Sequence, residues 1–99
     1  MPLVFVYGTL KAGCKYHQEM AGATFLGPCS TPAEFALNTD PWGHPAAVEG
    51  QTALEGEVYQ LTEEHLAKLD VFEGEAYTRH TTATPFGNTW IYTLKSPHA

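Results

Sequence analysis

A carboxylate on an apolar helical stripe is the first candidate for chemistry in this sequence. Leu66, Leu69 and Phe72 recur at helical spacing, and Glu73 falls four residues after Leu69 and seven after Leu66. A carboxyl among apolar neighbours, near the negative end of a helix, has its charged form disfavoured. Such an acid is suited to general acid–base catalysis near neutral pH. The alternative is an acid at a frayed helix end whose side chain points into solvent. Both interpretations of Glu73 stay open at this point.

The segment "GTLKAGCK", residues 8–15, resembles a phosphate-binding loop, with two glycines five residues apart. The resemblance fails because Cys14 follows Gly13 and no hydroxyl residue follows Lys15. A glycine directly after a buried strand still allows successive N–H groups to turn toward one point and bind an anion. The sequence predicts either such an anion-binding nest or a plain tight turn.

Metal and thiol chemistry find little support in the spacing of the histidines and cysteines. No pair of histidines has the i, i+4 helical spacing of a zinc site, and Cys14 and Cys29 are too far apart for a Cys-x-x-Cys pair. His17 follows Cys14 by three residues, which allows a thiolate nucleophile, but a buried cysteine beside an unrelated histidine is the commoner arrangement. We expect two free, buried thiols and no metal site.

The chain's only arginine, Arg79, lies on a predicted strand where Tyr77, Arg79 and Thr81 share one face. Arg79 follows Glu73 by six residues, close enough across a tight turn to pair with a carboxylate. It is predicted either to form a structural ion pair at the helix-to-strand corner or to bind substrate.

Composition excludes several classes of protein. The 99 residues predict one domain, 1–99, with one core. A net charge of −6, with five scattered basic residues, argues against nucleic-acid or anionic-membrane partners. The N-terminal apolar run of about five residues is too short for a membrane span and lacks the basic residues of a signal peptide, so we expect a cytoplasmic protein.

Hydrophobic patterning predicts a mostly β domain with one well-signalled helix. Thr62 is the expected N-cap of that helix and Gly74 its C-terminal stop. Pro28 and Pro32 are expected to break strands. The other predicted elements are a strand at 3–7 buried on both faces, helical turns at 16–22, strands at 23–27, 32–37 and 54–60, a surface loop at 38–45, and a hairpin of strands 77–85 and 88–94 joined across "PFGN".

Three motifs together resemble the γ-glutamylcyclotransferase-like family, also called AIG2-like. They are "VYGTL" after the first strand, "LEGEVYQL" in the middle strand, and "LDVFEGEAYTR" from the helix into the next strand. The resemblance spans nearly the whole chain in the same order. It implies an α+β fold, a small mixed β-barrel flanked by one main helix and short helical turns, with a cavity at the end of the first strand. It also implies that this cavity is lined by Tyr7 and by the backbone amides of Gly8, Thr9 and Leu10, which would hold the α-carboxylate of a glutamyl group.

The same resemblance implies that Glu73 is the catalytic acid–base, that Tyr77 lines the substrate site and that Arg79 supports it. The implied reaction cyclises a small-molecule γ-glutamyl substrate to 5-oxoproline and releases an amine or amino acid, without metal or cofactor. The alternative is a non-catalytic module that binds a carboxylated metabolite on the same fold. The leaving group and the oligomeric state are not determined by the sequence.

Overall fold

The structure, a computed structural model, describes residues 1–8, 13–14 and 17–95. The strands in this part of the chain are β1 (Leu3–Val6), β2 (Thr24–Ser30), β3 (Phe35–Thr39), β4 (Pro45–Glu49), β5 (Glu55–Gln60), β6 (Tyr77–Thr84) and β7 (Gly87–Leu94). One α-helix, α1 (Glu63–Glu73), and one 3₁₀ helix (His17–Met20) complete the set.

All seven strands belong to one mixed sheet in the order β2-β5-β1-β7-β4-β3, with β6 paired to β7. Strand β7 pairs with three other strands. It pairs antiparallel with β6 along one edge, and parallel with β1 and then β4 along the other edge. The fold class agrees with the prediction of an α+β mixed sheet with one main helix. The hydrogen-bonded order runs from β2 to β3 without closing on itself, so the term barrel applies only loosely.

Strand β1 is buried on both faces, as its continuous apolar run predicts. Val4 and Val6 face a core that includes Leu66 and Leu69 of α1. Phe5 points to the opposite face, where it joins a second core with Ile91 of β7 and other buried residues. The sheet therefore separates two cores, and only the first is covered by the helix.

Helix α1 begins and ends where its capping residues predict. The Thr62 hydroxyl accepts a hydrogen bond from the His65 N–H at 3.0 Å. Gly74 adopts a positive φ of 78° and donates its N–H to the Asp70 carbonyl at 3.1 Å. Leu66 and Leu69 are buried, but Phe72 is 37% exposed, so the inward stripe ends before its last predicted apolar member.

The predicted strand break at Pro28 is wrong. Strand β2 runs through Pro28, which lies opposite Glu57 of β5. Because β2 is at the end of the sheet, a proline there removes no hydrogen bond to a second neighbour. The next strand, β3, begins at Phe35 rather than at the predicted residue 32.

The predicted surface loop at 38–45 is confirmed in its middle and wrong at its two ends. Strand β3 continues to Thr39 and β4 begins at Pro45, which leaves a turn of residues 40–44. Strand β4 was not predicted, because its buried residues Ala46 and Ala47 have small, weakly hydrophobic side chains that are not β-branched. Asp40 in the turn is 6% exposed, so this acid is not on the surface.

The remaining local predictions have mixed outcomes. The hairpin across residues 85–88 is confirmed, whereas the helical turns expected at 16–22 reduce, in the described part, to the 3₁₀ helix. Cys14 and Cys29 are free as predicted, but Cys14 is exposed and Cys29 is only half-buried. Among the described residues no helix is long and apolar enough to span a membrane.

Candidate active site

A gap in the sheet next to β7 creates the site. Pairing of β1 with β7 reaches Phe5 opposite Ile91, and β4 meets β7 only at Ala47 opposite Thr93. The side chain of Tyr7 fills the interval, where its hydroxyl donates to the Tyr92 carbonyl at 2.7 Å and accepts from the Ala47 N–H at 2.8 Å. Tyr7 thus provides a hydrogen-bond partner for one backbone carbonyl and one backbone N–H that would otherwise have none.

Beside this gap lies a cavity of about 810 Å³, within the size range of small-molecule sites. Its walls come from the end of β1, the β3–β4 turn, the end of α1, the start of β6 and the middle of β7. The lining residues are Phe5, Val6, Tyr7, Gly8, Asp40, Trp42, His44, Pro45, Phe72, Glu73, Gly74, Glu75, Ala76, Tyr77 and Tyr92.

Glu73 is the last residue of α1 and lines this cavity. Burial, and then the negative charge of Asp40, raises the pKa of Glu73 to about 7. The side chain is half-buried and does not project freely into water. A carboxyl with this pKa is present in both its charged and its neutral form near neutral pH, which is what a proton carrier requires.

Asp40 is a second acid in the same cavity, and it was not among the predicted site residues. Its Oδ1 accepts from the Trp42 and His44 N–H groups, both at 2.9 Å, and its Oδ2 accepts from the Tyr77 hydroxyl at 2.7 Å. Burial alone would raise the pKa of Asp40, but these hydrogen bonds and the nearby His44 ring hold it below its ordinary value. Asp40 is therefore charged when Glu73 titrates.

The two phenols expected to meet the substrate are already engaged with the protein. Burial raises the pKa of Tyr7 and of Tyr77 well above the ordinary value, so both stay protonated. Each hydroxyl hydrogen is donated within the chain, by Tyr7 to the Tyr92 carbonyl and by Tyr77 to Asp40. Both side chains line the cavity without a hydroxyl hydrogen to offer a ligand.

The ion pair at the helix-to-strand corner joins Arg79 to Asp70, with Nε 2.9 Å from Oδ1. The same Asp70 oxygen accepts from the Tyr92 hydroxyl at 2.7 Å, and the Arg79 guanidinium stacks over Trp90. Arg79 is not among the residues that line the cavity. It is connected to the site through Asp70 and Tyr92.

The predicted anion-binding nest is only partly within the described residues. Gly8 lines the cavity, and a Cβ added there would lie 3.4 Å from the Pro45 carbonyl oxygen. Thr9 and Leu10 lie outside the described residues, so their binding role stays a prediction. No group of three or more described His, Cys, Asp or Glu side chains could hold a metal ion.

Sequence reasoning did not name the three residues of the β3–β4 turn that line the cavity, Asp40, Trp42 and His44. A signal was available, since an aspartate that opens an Asp-Pro-x-Gly turn often accepts hydrogen bonds from the turn's own N–H groups. It does not reveal that the turn faces the helix end. That contact depends on the unpredicted strand β4.

The fold and site define a small α+β protein with a ligand-sized cavity that contains a carboxyl of raised pKa, Glu73. The chain belongs to the γ-glutamyl cyclotransferase, AIG2-like family, whose model matches residues 4–99. Family membership makes it an enzyme of the cyclotransferase type.

Three relatives show how close the similarity is. A putative γ-glutamylcyclotransferase of Vibrio cholerae is 43% identical over 98 residues, which cover 97% of this chain and 84% of that protein. The γ-L-glutamyl-butirosin B γ-glutamyl cyclotransferase of Niallia circulans is 36% identical over 73 residues, covering 74% of this chain and 46% of its own length. The crystal structure of an uncharacterized protein from Pyrococcus horikoshii superposes with a TM-score of 0.87 at 30% identity, covering 97% of this chain and 80% of that one.

Proposed function

We propose that this protein cyclises the γ-glutamyl group of a small γ-glutamyl amino acid or amine to 5-oxoproline, with Glu73 as general acid–base. The observation that carries the proposal is a carboxyl with a pKa of about 7 in a ligand-sized cavity of a cyclotransferase family member. A pocket that only held an anionic metabolite would gain nothing from a carboxylate beside it. The Glu73 side chain therefore favours the enzyme over the binding module.

The first step moves one proton and makes one bond. The Glu73 carboxylate takes a proton from the substrate's α-ammonium group. The freed lone pair forms a C–N bond to the side-chain carbonyl carbon, whose π electrons move onto oxygen. Because the nucleophile is part of the substrate, little of the barrier is spent on bringing two molecules together.

The second step returns the proton and breaks the old bond. Protonated Glu73 donates to the leaving nitrogen, the oxyanion re-forms its carbonyl, and the former C–N bond breaks with its electron pair going to the leaving amine. The extra proton on the attacking nitrogen passes through the same carboxyl to the released amine. The reaction consumes no water or redox partner, so no cofactor forms part of the proposal.

The backbone at Gly8 is the proposed binding point for the substrate's α-carboxylate. It lies at the end of β1 and lines the cavity together with Glu73. Backbone N–H groups bind an anion without placing a competing positive side chain near the acid. Thr9 and Leu10 are proposed to supply the neighbouring amides.

The test is to incubate the protein with a panel of γ-glutamyl amino acids, γ-glutamyl amines and the γ-glutamyl-ε-lysine isopeptide, and to measure 5-oxoproline by mass spectrometry. We expect 5-oxoproline and the free amine in equal amounts from at least one member. Saturable binding of these compounds with no 5-oxoproline would instead support the binding module.

A further inference from the structure

Two acids that are not exposed, Asp40 and Glu73, line one cavity, and only Glu73 has an assigned task. The Asp40 side chain is 2% exposed, so water does not compensate its charge. Burying a second carboxylate close to the acid–base costs stability, since like charges in a poorly solvated site repel. An arrangement with this cost needs a reason beyond the local turn.

The partners of Asp40 come from two different elements that both line the cavity. The N–H groups of Trp42 and His44 belong to the β3–β4 turn, and the Tyr77 hydroxyl belongs to the first residue of β6. Tyr77 follows the end of α1 by only four residues, so it lies close in the chain to Glu73. Asp40 thereby ties the turn to the segment that carries the acid–base.

Among the described residues, the other titratable groups around Glu73 leave Asp40 as the main source of fixed negative charge. Tyr7, Tyr77 and Tyr92 stay protonated because burial raises their pKa values. On the side of α1 and β6, the charge of Asp70 is offset by Arg79 at 2.9 Å. Two more groups line the cavity: Glu75, which is exposed, and His44, whose Nδ1 lies 3.7 Å from Asp40 Oδ2 and offsets part of its charge when protonated.

We propose that Asp40 is a positioning residue for Glu73: a buried, hydrogen-bonded carboxylate that holds the β3–β4 turn against Tyr77 and places a fixed negative charge beside the acid–base. Its oxygens accept from Trp42, His44 and Tyr77 and its side chain is 2% exposed, so it acts on the reaction through Glu73 and Tyr77 and not by touching the substrate. The kinetic part of this inference rests on the proposed function. The electrostatic part does not.

The direct test is a carboxyl ¹³C NMR titration of glutamate-labelled protein, with the Glu73 signal assigned by its loss in Glu73→Gln. In the wild type we expect Glu73 to titrate near neutral pH. In Asp40→Asn, which keeps an acceptor for the turn, we expect the midpoint to fall by about one pH unit, the order expected when a like charge is removed from a partly buried site. Glu64→Gln removes one charge from an exposed position on the same helix and should leave the midpoint unchanged.

Asp40→Ser provides a second neutral variant with an acceptor oxygen, should Asp40→Asn fold poorly. An unchanged Glu73 midpoint in a folded neutral variant would overturn the inference, and so would an ordinary acidic midpoint for Glu73 in the wild type. If the protein turns over a γ-glutamyl compound, the acidic limb of its kcat/KM profile should move to lower pH in Asp40→Asn. A lower kcat on an unshifted limb would mean that Asp40 serves the turn alone. Absence of turnover would refute the proposed function and leave the NMR result standing.

Discussion

Glu73 is costly to the fold when it is charged. A carboxyl with a raised pKa in the native state binds its proton more tightly there than in the unfolded chain. Below the unfolded pKa, near 4.5, both states are protonated and there is no penalty. As the pH rises from there to about 7, the unfolded state is ionised while the native state is still protonated, so stability falls, and above about 7 the full penalty remains.

Glu73→Gln should therefore stabilise the protein in a pH-dependent way. The variant removes the ionisable group, and we expect a gain of up to about 3 kcal/mol in unfolding free energy at pH 8, with little gain at pH 4. Urea denaturation at both pH values measures it. As a control, Glu64→Gln on the exposed face of α1 should show no such dependence. An equal effect of Glu73→Gln at both pH values would show that Glu73 has an ordinary pKa.

At the scale of the strands, Tyr7 joins β1, β4 and β7 where their backbones do not pair directly. Its hydroxyl binds the Tyr92 carbonyl and the Ala47 N–H. The Tyr7 hydroxyl therefore allows a gap in the sheet at which both of these backbone groups still have a hydrogen-bond partner. That gap is where the cavity opens.

Tyr7→Phe should destabilise the protein by about 1–3 kcal/mol, because it leaves a buried donor and a buried acceptor without a partner. The change is measured by urea denaturation against Tyr59→Phe. Tyr59 is buried, and its hydroxyl donates to the Glu57 side chain of the same strand at 3.1 Å, so its loss should cost less. Equal costs for the two variants would mean that the Tyr7 hydroxyl does not join the strands.

Gly56 of β5 allows β1 and β5 to approach closely. A Cβ there would overlap the Val6 carbonyl oxygen and lie 2.7 Å from the Phe5 ring. Backbone cannot yield as a flexible side chain does, so Gly56→Ala should cost about 2 kcal/mol. Thermal unfolding compared with Gly8→Ala, where the nearest atom is 3.4 Å away, tests this, and similar melting temperatures would contradict it.

The elements that were predicted well are those whose signals are local. Helix α1 is fixed by Thr62 and Gly74, and the β6–β7 hairpin by its turn residues, so no distant contact was needed. Strand β4 and the path of β2 through Pro28 depend on which neighbour each strand acquires. Neighbours of this kind are not visible in a short window of sequence.

At the scale of the whole molecule, the candidate site forms only when five separated segments meet. Glu73 was found because its helical register is a local property. Asp40 was missed because its burial depends on β4 pairing with β7, which brings residue 40 next to Tyr77. The structural ion pair predicted for Arg79 at the helix-to-strand corner forms, but its partner is Asp70. Asp70 lies nine residues before Arg79 and one helical turn before Glu73.

The central claim, that Glu73 carries protons for a γ-glutamyl cyclisation, is tested most directly by the rate of 5-oxoproline formation in Glu73→Gln. Glutamine keeps the size and much of the hydrogen bonding of glutamate but cannot exchange a proton. With the best substrate of the panel, we expect turnover to fall by roughly a hundred- to ten-thousandfold while substrate binding persists, with Glu64→Gln as the active control. Full activity in a folded Glu73→Gln variant would contradict the account.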